Sequence, residues 1–361
     1  MRTCRRWAAV AAAGMAAGLA GCSGLGPDII RSGRPAYNDA ILQTNDEQLL
    51  QNIVRLRFGD SLGFLTVSSV TANVSVSASG SVQAGIGTAS NYAGNLVPFT
   101  GTVTTEQNPT ISYQPVSGDR VLRQLMNETP LDIAILLINA AHDHKEAWRA
   151  IVRRVNNLRN PDFIDPPALV ADPRFDEVIT LASVLQRRGS LYWVRLTGAQ
   201  TGYAIVLHTY SPTSTREARR LLELLNVTQP VREGDDVVVP VLLSAGMPTS
   251  GAIAIETRSL FNLMQLAAAR IDLPDGLAAN SVKYPHPGPG ARGIHIHVAA
   301  TRPAPAQTRV AVEFRGSWYY IDQADESSKH WFTMLQLLAS AQVPDTSVVG
   351  PVLTIPVTGR R

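Results

Sequence analysis

The run GIHIHVAA, Gly293 to Ala300, sets two imidazoles two residues apart. On a strand, residues i and i+2 share a face, so His295 and His297 can approach one ion, and paired imidazoles suit zinc or copper. His286, in YPHPGPG, is the third ligand such a site would take. No HExxH, paired-cysteine or EF-hand pattern accompanies them, and a strand with two half-exposed histidines is the competing reading. AHDHKE offers His142 and Glu146 at helical spacing, while His142 and His144 point apart, so it reads as a polar helix start. In FRGSWYYIDQADESSKHWF, the residues Asp322, Asp325, Glu326, Ser327, Ser328 and Lys329 gather at a helix start. Acids there complement the helix dipole, and Ser or Asp caps the free amides. Trp318, Tyr319 and Tyr320 precede them on a strand, either packed on that helix or presented to a protein or glycan partner. There is no Gly-x-Ser-x-Gly elbow, phosphate loop or evident carboxylate dyad, so no enzyme and no cofactor is expected.

The N-terminus carries a different chemistry. Arg2, Arg5 and Arg6 precede a short run of Ala, Gly, Val, Met and Leu, the charged and apolar regions of a secretory signal. The run closes in LAGC, Leu19 to Cys22, which resembles the lipobox of bacterial lipoproteins. That resemblance implies cleavage after residue 21 and acylation of Cys22. Ser23, rather than an aspartate, implies outer-membrane retention, lipid-anchored and facing the periplasm. Each buried CH2 contributes about 0.8 kcal/mol, so several acyl chains hold a protein on a membrane without a spanning helix. Loss of Cys4 with the leader and acylation of Cys22 would leave no thiol for a disulfide or a metal.

The same cleavage removes the excess charge. The chain has 32 Lys plus Arg against 29 Asp plus Glu, and the leader holds three arginines and no acid. A mature chain is therefore formally neutral, and no basic stripe points to nucleic acid.

These residues need elements to position them. Residues 22–36, rich in Gly, Pro and Ser, read as a flexible tether. Asn45 or Asp46 can cap a helix with the stripe Leu49, Leu50, Ile53, Val54 and Leu56, stopped at Gly59. A long hairpin follows. Thr129 and Pro130 open the helix LDIAILLINAA, and KEAWRAIVRRVNNL reads as a second helix, the whole block covering residues 37–160. Residues 161–190, a Pro-rich connector and a helix opened by Asp172 and Pro173, form the expected domain boundary. Residues 191–361 repeat a strand, strand, helix plan three times, with caps expected at Ser214, Thr257 and Asp322 or Asp325. The fold class is therefore α+β: a long N-terminal β-hairpin with a helical block, then mainly antiparallel sheet with helices on one face.

The hairpin is the strongest pattern in the chain. From Val70 to Ile86 every even residue is apolar or glycine, and the odd ones are small and polar or glycine. Seventeen such residues extend about 56 Å, whereas roughly 9 to 11 cross an outer membrane. In one reading several copies each donate two strands of residues 64–113 to a shared barrel, with Phe64, Tyr92, Phe99 and Tyr113 as girdles. In the other, the Val/Ala face packs on helices and the Ser/Thr face is wet. Either way, a protein partner or a second copy must cover these strand edges.

With its lipobox and the segments NDEQLLQNIVRLRFGDSLGFLTVSSV, NPTISYQP and FRGSWYYIDQADESSK, the chain resembles a group of proteobacterial outer-membrane lipoproteins. The resemblance supplies no reaction and no site residues. The leading expectation is a non-enzymatic lipoprotein, anchored to the outer membrane through Cys22, that serves as a structural or assembly component of an envelope complex. The alternatives are an oligomeric pore or export channel, and a metal-binding protein or enzyme built on His295 and His297.

Overall fold

The computed structural model describes residues 25–82, 99–116, 119–160, 172–197, 202–243, 251–284, 293–342 and 353–356. Cys22, Tyr92 and His286 lie outside them. The chain is α+β and forms two compact units, Met1–Leu62 with Leu122–Val343, and Gly63–Val121 with Pro344–Arg361.

The larger unit opens with α1 (Leu25–Phe58). Its C-terminal half buries Leu49, Leu50, Ile53, Val54 and Phe58, its last turn carries Arg55 and Arg57, and Gly59 ends it at φ +73°. Residues 25–36, expected as flexible tether, are helical. Asp46, expected as a cap, instead accepts from Arg309 Nη1 at 2.8 Å and from Gln336. No cap interrupts the helix at residue 45, and it includes Pro35 in its interior.

The chain continues through α2 (Asp119–Met126), α3 (Leu131–Ala140) and α4 (His144–Ile151). Here the expected second helix ends early. Val152–Val155 is strand β3, and after a turn through Asn156 at φ +50° comes β4 (Leu158–Arg159). The reason lies across the sheet: Arg153 and Arg154 pair with Glu256 at 3.3 and 2.6 Å, so the segment is worth more as a strand beside its partner than as a further helical turn.

After α5 (Pro173–Arg187) come β5 (Leu191–Leu196), β6 (Gly202–His208), α6 (Pro212–Leu224), β7 (Asp236–Leu243), β8 (Ile253–Thr257) and α7 (Leu260–Ala269). The strands form one sheet of order β4-β3-β8-β7-β6-β5, antiparallel except for β7 beside β8. This sheet joins β3 and β4 to β5–β8, so the expected boundary at residues 161–190 does not separate two domains. Asp172 caps α5 as expected, accepting from the Arg174 N–H at 3.0 Å. α6 begins earlier than its expected cap, with Ser211 and Ser214 capping each other, and Ser259 rather than Thr257 caps α7. Thr257 and Thr129 instead tie α3 to β8: Thr257 Oγ1 donates to the Thr129 carbonyl, and Thr129 Oγ1 donates to the Arg258 carbonyl, both at 2.7 Å.

The third strand, strand, helix unit stands apart from this sheet. After the short α8 (Asp275–Ala278), strands β9 (His297–Ala299), β10 (Thr308–Phe314) and β11 (Ser317–Asp322) form a sheet of order β10-β11-β9, followed by α9 (Glu326–Gln342). Asp325 caps α9, accepting from the Ser328 N–H at 3.0 Å.

The smaller unit is the hairpin of β1 (Phe64–Val82) and β2 (Phe99–Val116), joined at its base by β12 (Leu353–Pro356) in the order β1-β2-β12.

Candidate functional site

The hairpin unit holds the residues whose arrangement is hardest to explain by packing alone. β1 and β2 pair antiparallel along their full length, from Phe64 opposite Val116 to Val82 opposite Phe99. A bulge between Val67 and Ser69 shifts the register by one. The shift matters because side-chain period is two, and a slip of one residue exchanges the faces of a strand. Below the bulge Leu65 and Val67 occupy odd positions; above it the apolar residues are even. The bulge brings them onto one face. That face holds the pairs Leu65/Pro115, Val67/Tyr113, Val70/Ile111, Ala72/Pro109, Val74/Gln107, Val76/Thr105, Ala78/Val103, Gly80/Gly101 and Val82/Phe99. The other face, above the bulge, holds Thr71/Thr110, Asn73/Asn108, Ser75/Glu106, Ser77/Thr104, Ser79/Thr102 and Ser81/Thr100.

Burial is described only at the base of the hairpin, where Phe64 is buried. Ser112 and Gln114, on the face that is polar further along, are 8% and 7% exposed, while Leu65 on the apolar face is 44% exposed. Tyr113 and Ile111 are only half-buried. Among the described residues, the unit contains three strands and the first turn of α2, so it has no helical layer of its own. Its edges are also open: β12 pairs with β2 only from Thr110 to Tyr113, leaving Phe99–Pro109 of β2 and the outer edge of β1 without a neighbouring strand among the described residues. Of the four expected girdle residues, Phe99 and Tyr113 share the apolar face at opposite ends, and Phe64 lies on the other face.

His295 and His297 have separate partners. His295 Nε2 lies 3.4 Å from Arg270 Nη1, a guanidinium that is 5% exposed and seated over Gly293. Gly293 has φ +149°, and an added Cβ there would lie 3.6 Å from Arg270 Nη2. His297 Nδ1 lies 3.8 Å from Asp272 Oδ2, and its ring meets Tyr320 at 5.4 Å between centroids. A cation beside one imidazole disfavours a second cation there. Among the described residues no group of three His, Cys, Asp or Glu side chains could hold a metal. Burial alone would raise the Asp325 carboxyl; hydrogen bonds from the Ser328 hydroxyl and N–H, with His295 and His297 nearby, outweigh it and hold the carboxyl below the usual range.

The remaining sequence candidates separate by face. Tyr319 is fully buried, edge-on to Phe58 at 6.3 Å, and belongs to the core rather than to an aromatic surface. Trp318 and Tyr320 are half-buried, with the Arg302 guanidinium 5.1 Å above the Trp318 ring. His142 precedes α4, whose cap is Asp143, so it does not share a helical face with Glu146; it stacks instead on His330 at 6.3 Å.

One polar cluster was invisible in the sequence. His208 on β6 lies between Tyr192 on β5 and Tyr210, at 4.7 and 4.9 Å. Asp236 on β7 accepts from Tyr210 Oη at 2.7 Å and meets His208 Nδ1 at 2.5 Å. The Tyr210 hydrogen bond, then that from His208, hold the Asp236 carboxyl below its ordinary range, and donation to Asp236 raises the Tyr210 hydroxyl. The cluster sits on the sheet face opposite the helices. The inner face is packed: Trp148, Trp193, Ile205, Val241, Ile253 and Ile255 help to line an apolar cavity of about 20 Å3, too small for a substrate.

Among the described residues no helix is long and apolar enough to cross a membrane. Comparison of the chain with protein-family models, with curated proteins and with solved structures found no match.

Proposed function

We propose that this chain is a lipoprotein held in the outer membrane by acylated Cys22, acting as an assembly component of an envelope complex in which the hairpins of several copies close into a shared β-barrel. The observation that carries this reading is the face from Leu65/Pro115 to Val82/Phe99, apolar or glycine throughout on β1 and interrupted on β2 by Thr105 and Gln107, kept on one side through the bulge and bordered among the described residues by two open edges. Fourteen residue steps of β2, Tyr113 to Phe99, extend about 46 Å, which at a tilt near 40° rises about 35 Å. That height exceeds an apolar band of about 25 Å by about 10 Å, so in this reading Phe99 and Tyr113 would stand about 5 Å beyond its two borders, at the level of the interfaces. Barrel closure would pair both open edges, which an isolated hairpin leaves as a template for aggregation.

The test replaces residues 70–111 by an Asn-Gly turn in the otherwise native, lipidated chain. Extraction of membranes should yield a detergent-stable oligomer for the native chain and an anchored, folded monomer for the variant. An unchanged oligomer would remove the hairpin from the assembly.

A further inference from the structure

We infer that Glu106 supplies a ring of carboxylates midway along the barrel, so that the pore passes small hydrated cations in preference to anions. The inference rests on the barrel reading and adds to it the chemistry of what is conducted.

Between Asp60 and Asp119 the sequence contains one charged residue, Glu106. The register sets it opposite Ser75, on the face that otherwise carries Thr, Ser and Asn. It lies seven residues from Phe99 and seven from Tyr113 along β2, midway between the positions assigned to the two interfaces. A charge at bilayer midplane is costly on a lipid-facing position and tolerated on a lumen-facing one, and an ionisable residue at that depth marks an ion or substrate path. Assembly of identical copies repeats each position around the barrel axis. One Glu106 per copy therefore becomes a ring, the arrangement by which Asp and Glu make pores cation-selective. The hydroxyl and amide residues of the same face solvate a passing ion without favouring either sign. No Lys or Arg between residues 61 and 118 offsets the ring.

The experiment places the purified, lipidated full-length protein in planar bilayers under a gradient of potassium chloride at low salt, where the screening length reaches about 30 Å, and reads the reversal potential. The native pore should show a cation-to-anion permeability ratio well above one; Glu106→Gln should bring it to about one, and Glu106→Lys should invert it. Conductance with the same selectivity in all three proteins would overturn the ring while leaving the barrel intact. A detergent-stable oligomer that conducts nothing would overturn it too, since no open path would then pass Glu106. A detergent-independent monomer without conductance would remove the barrel and the ring together.

Discussion

Arg258 shows how far single side chains govern the larger unit. It is 1% exposed, and its Nη1 donates to the carbonyls of Arg149 at 2.7 Å and Ala150 at 2.9 Å, with Val152 at 3.4 Å. These carbonyls belong to the end of α4 and the start of β3, where helical hydrogen bonding stops. Arg258→Met keeps much of the volume and removes the guanidinium from the Ala150 carbonyl, while Asn160 Nδ2 still donates to the Arg149 and Val152 carbonyls at 2.6 and 2.5 Å. Urea unfolding should show a loss of about 2 to 3 kcal/mol. Asp325 gives a test in pH. Its carboxyl titrates below the ordinary range, so its ionised form contributes stability that is fully present above the unfolded value of about 3.9 and is lost as pH falls through the depressed folded value. Asp325→Asn keeps a capping side chain. Its unfolding midpoint should lie below that of the native protein at neutral pH, with the gap closing as pH falls below 4. A gap that stays constant would assign the effect to packing.

At the scale of elements, the strict alternation above Val70 was legible because a period of two survives in any context, and the stripe of α1 was legible for the same reason at a period of 3.6. The segment Val152–Val155 was not. Ala-Trp-Arg-Ala-Ile-Val-Arg-Arg-Val suits a helix locally, and pairing with β8, about a hundred residues away, with Glu256 between the two arginines, makes its second half a strand. The cluster of Tyr192, His208, Tyr210 and Asp236 depends on the neighbouring order of β5, β6 and β7, which no local pattern reports. The bulge left a faint trace: two adjacent serines, Ser68 and Ser69, between apolar positions of opposite parity. Deleting Ser68 tests its role. Without the extra residue, Val67 and Val70 stand two apart in an unbulged ladder and stay on one face. The larger unit should keep its thermal midpoint, and the detergent-stable oligomer should survive. Loss of the oligomer would show that the bend of the bulge, and not only the shared face, is needed for assembly.

For the whole molecule, the chain divides into a packed larger unit and a three-stranded smaller one, and the proposed assembly role falls on the smaller. The larger unit buries aliphatic and aromatic side chains from α1 through α9 in a core of its own. Among the described residues the hairpin unit has no helical layer of its own and has open strand edges, which the proposed barrel would pair. The metal reading of His295 and His297 takes its third ligand, His286, from outside the described residues, and it makes no use of the hairpin. The decisive measurement takes the mature chain with Cys22→Ser, exported by a signal that adds no lipid, and determines its mass by light scattering with and without detergent. Removing the lipid leaves the strands as the sole route into a membrane. A detergent-requiring oligomer of defined mass is expected; a soluble monomer in plain buffer would contradict the shared barrel and leave acylated Cys22 as the only membrane contact.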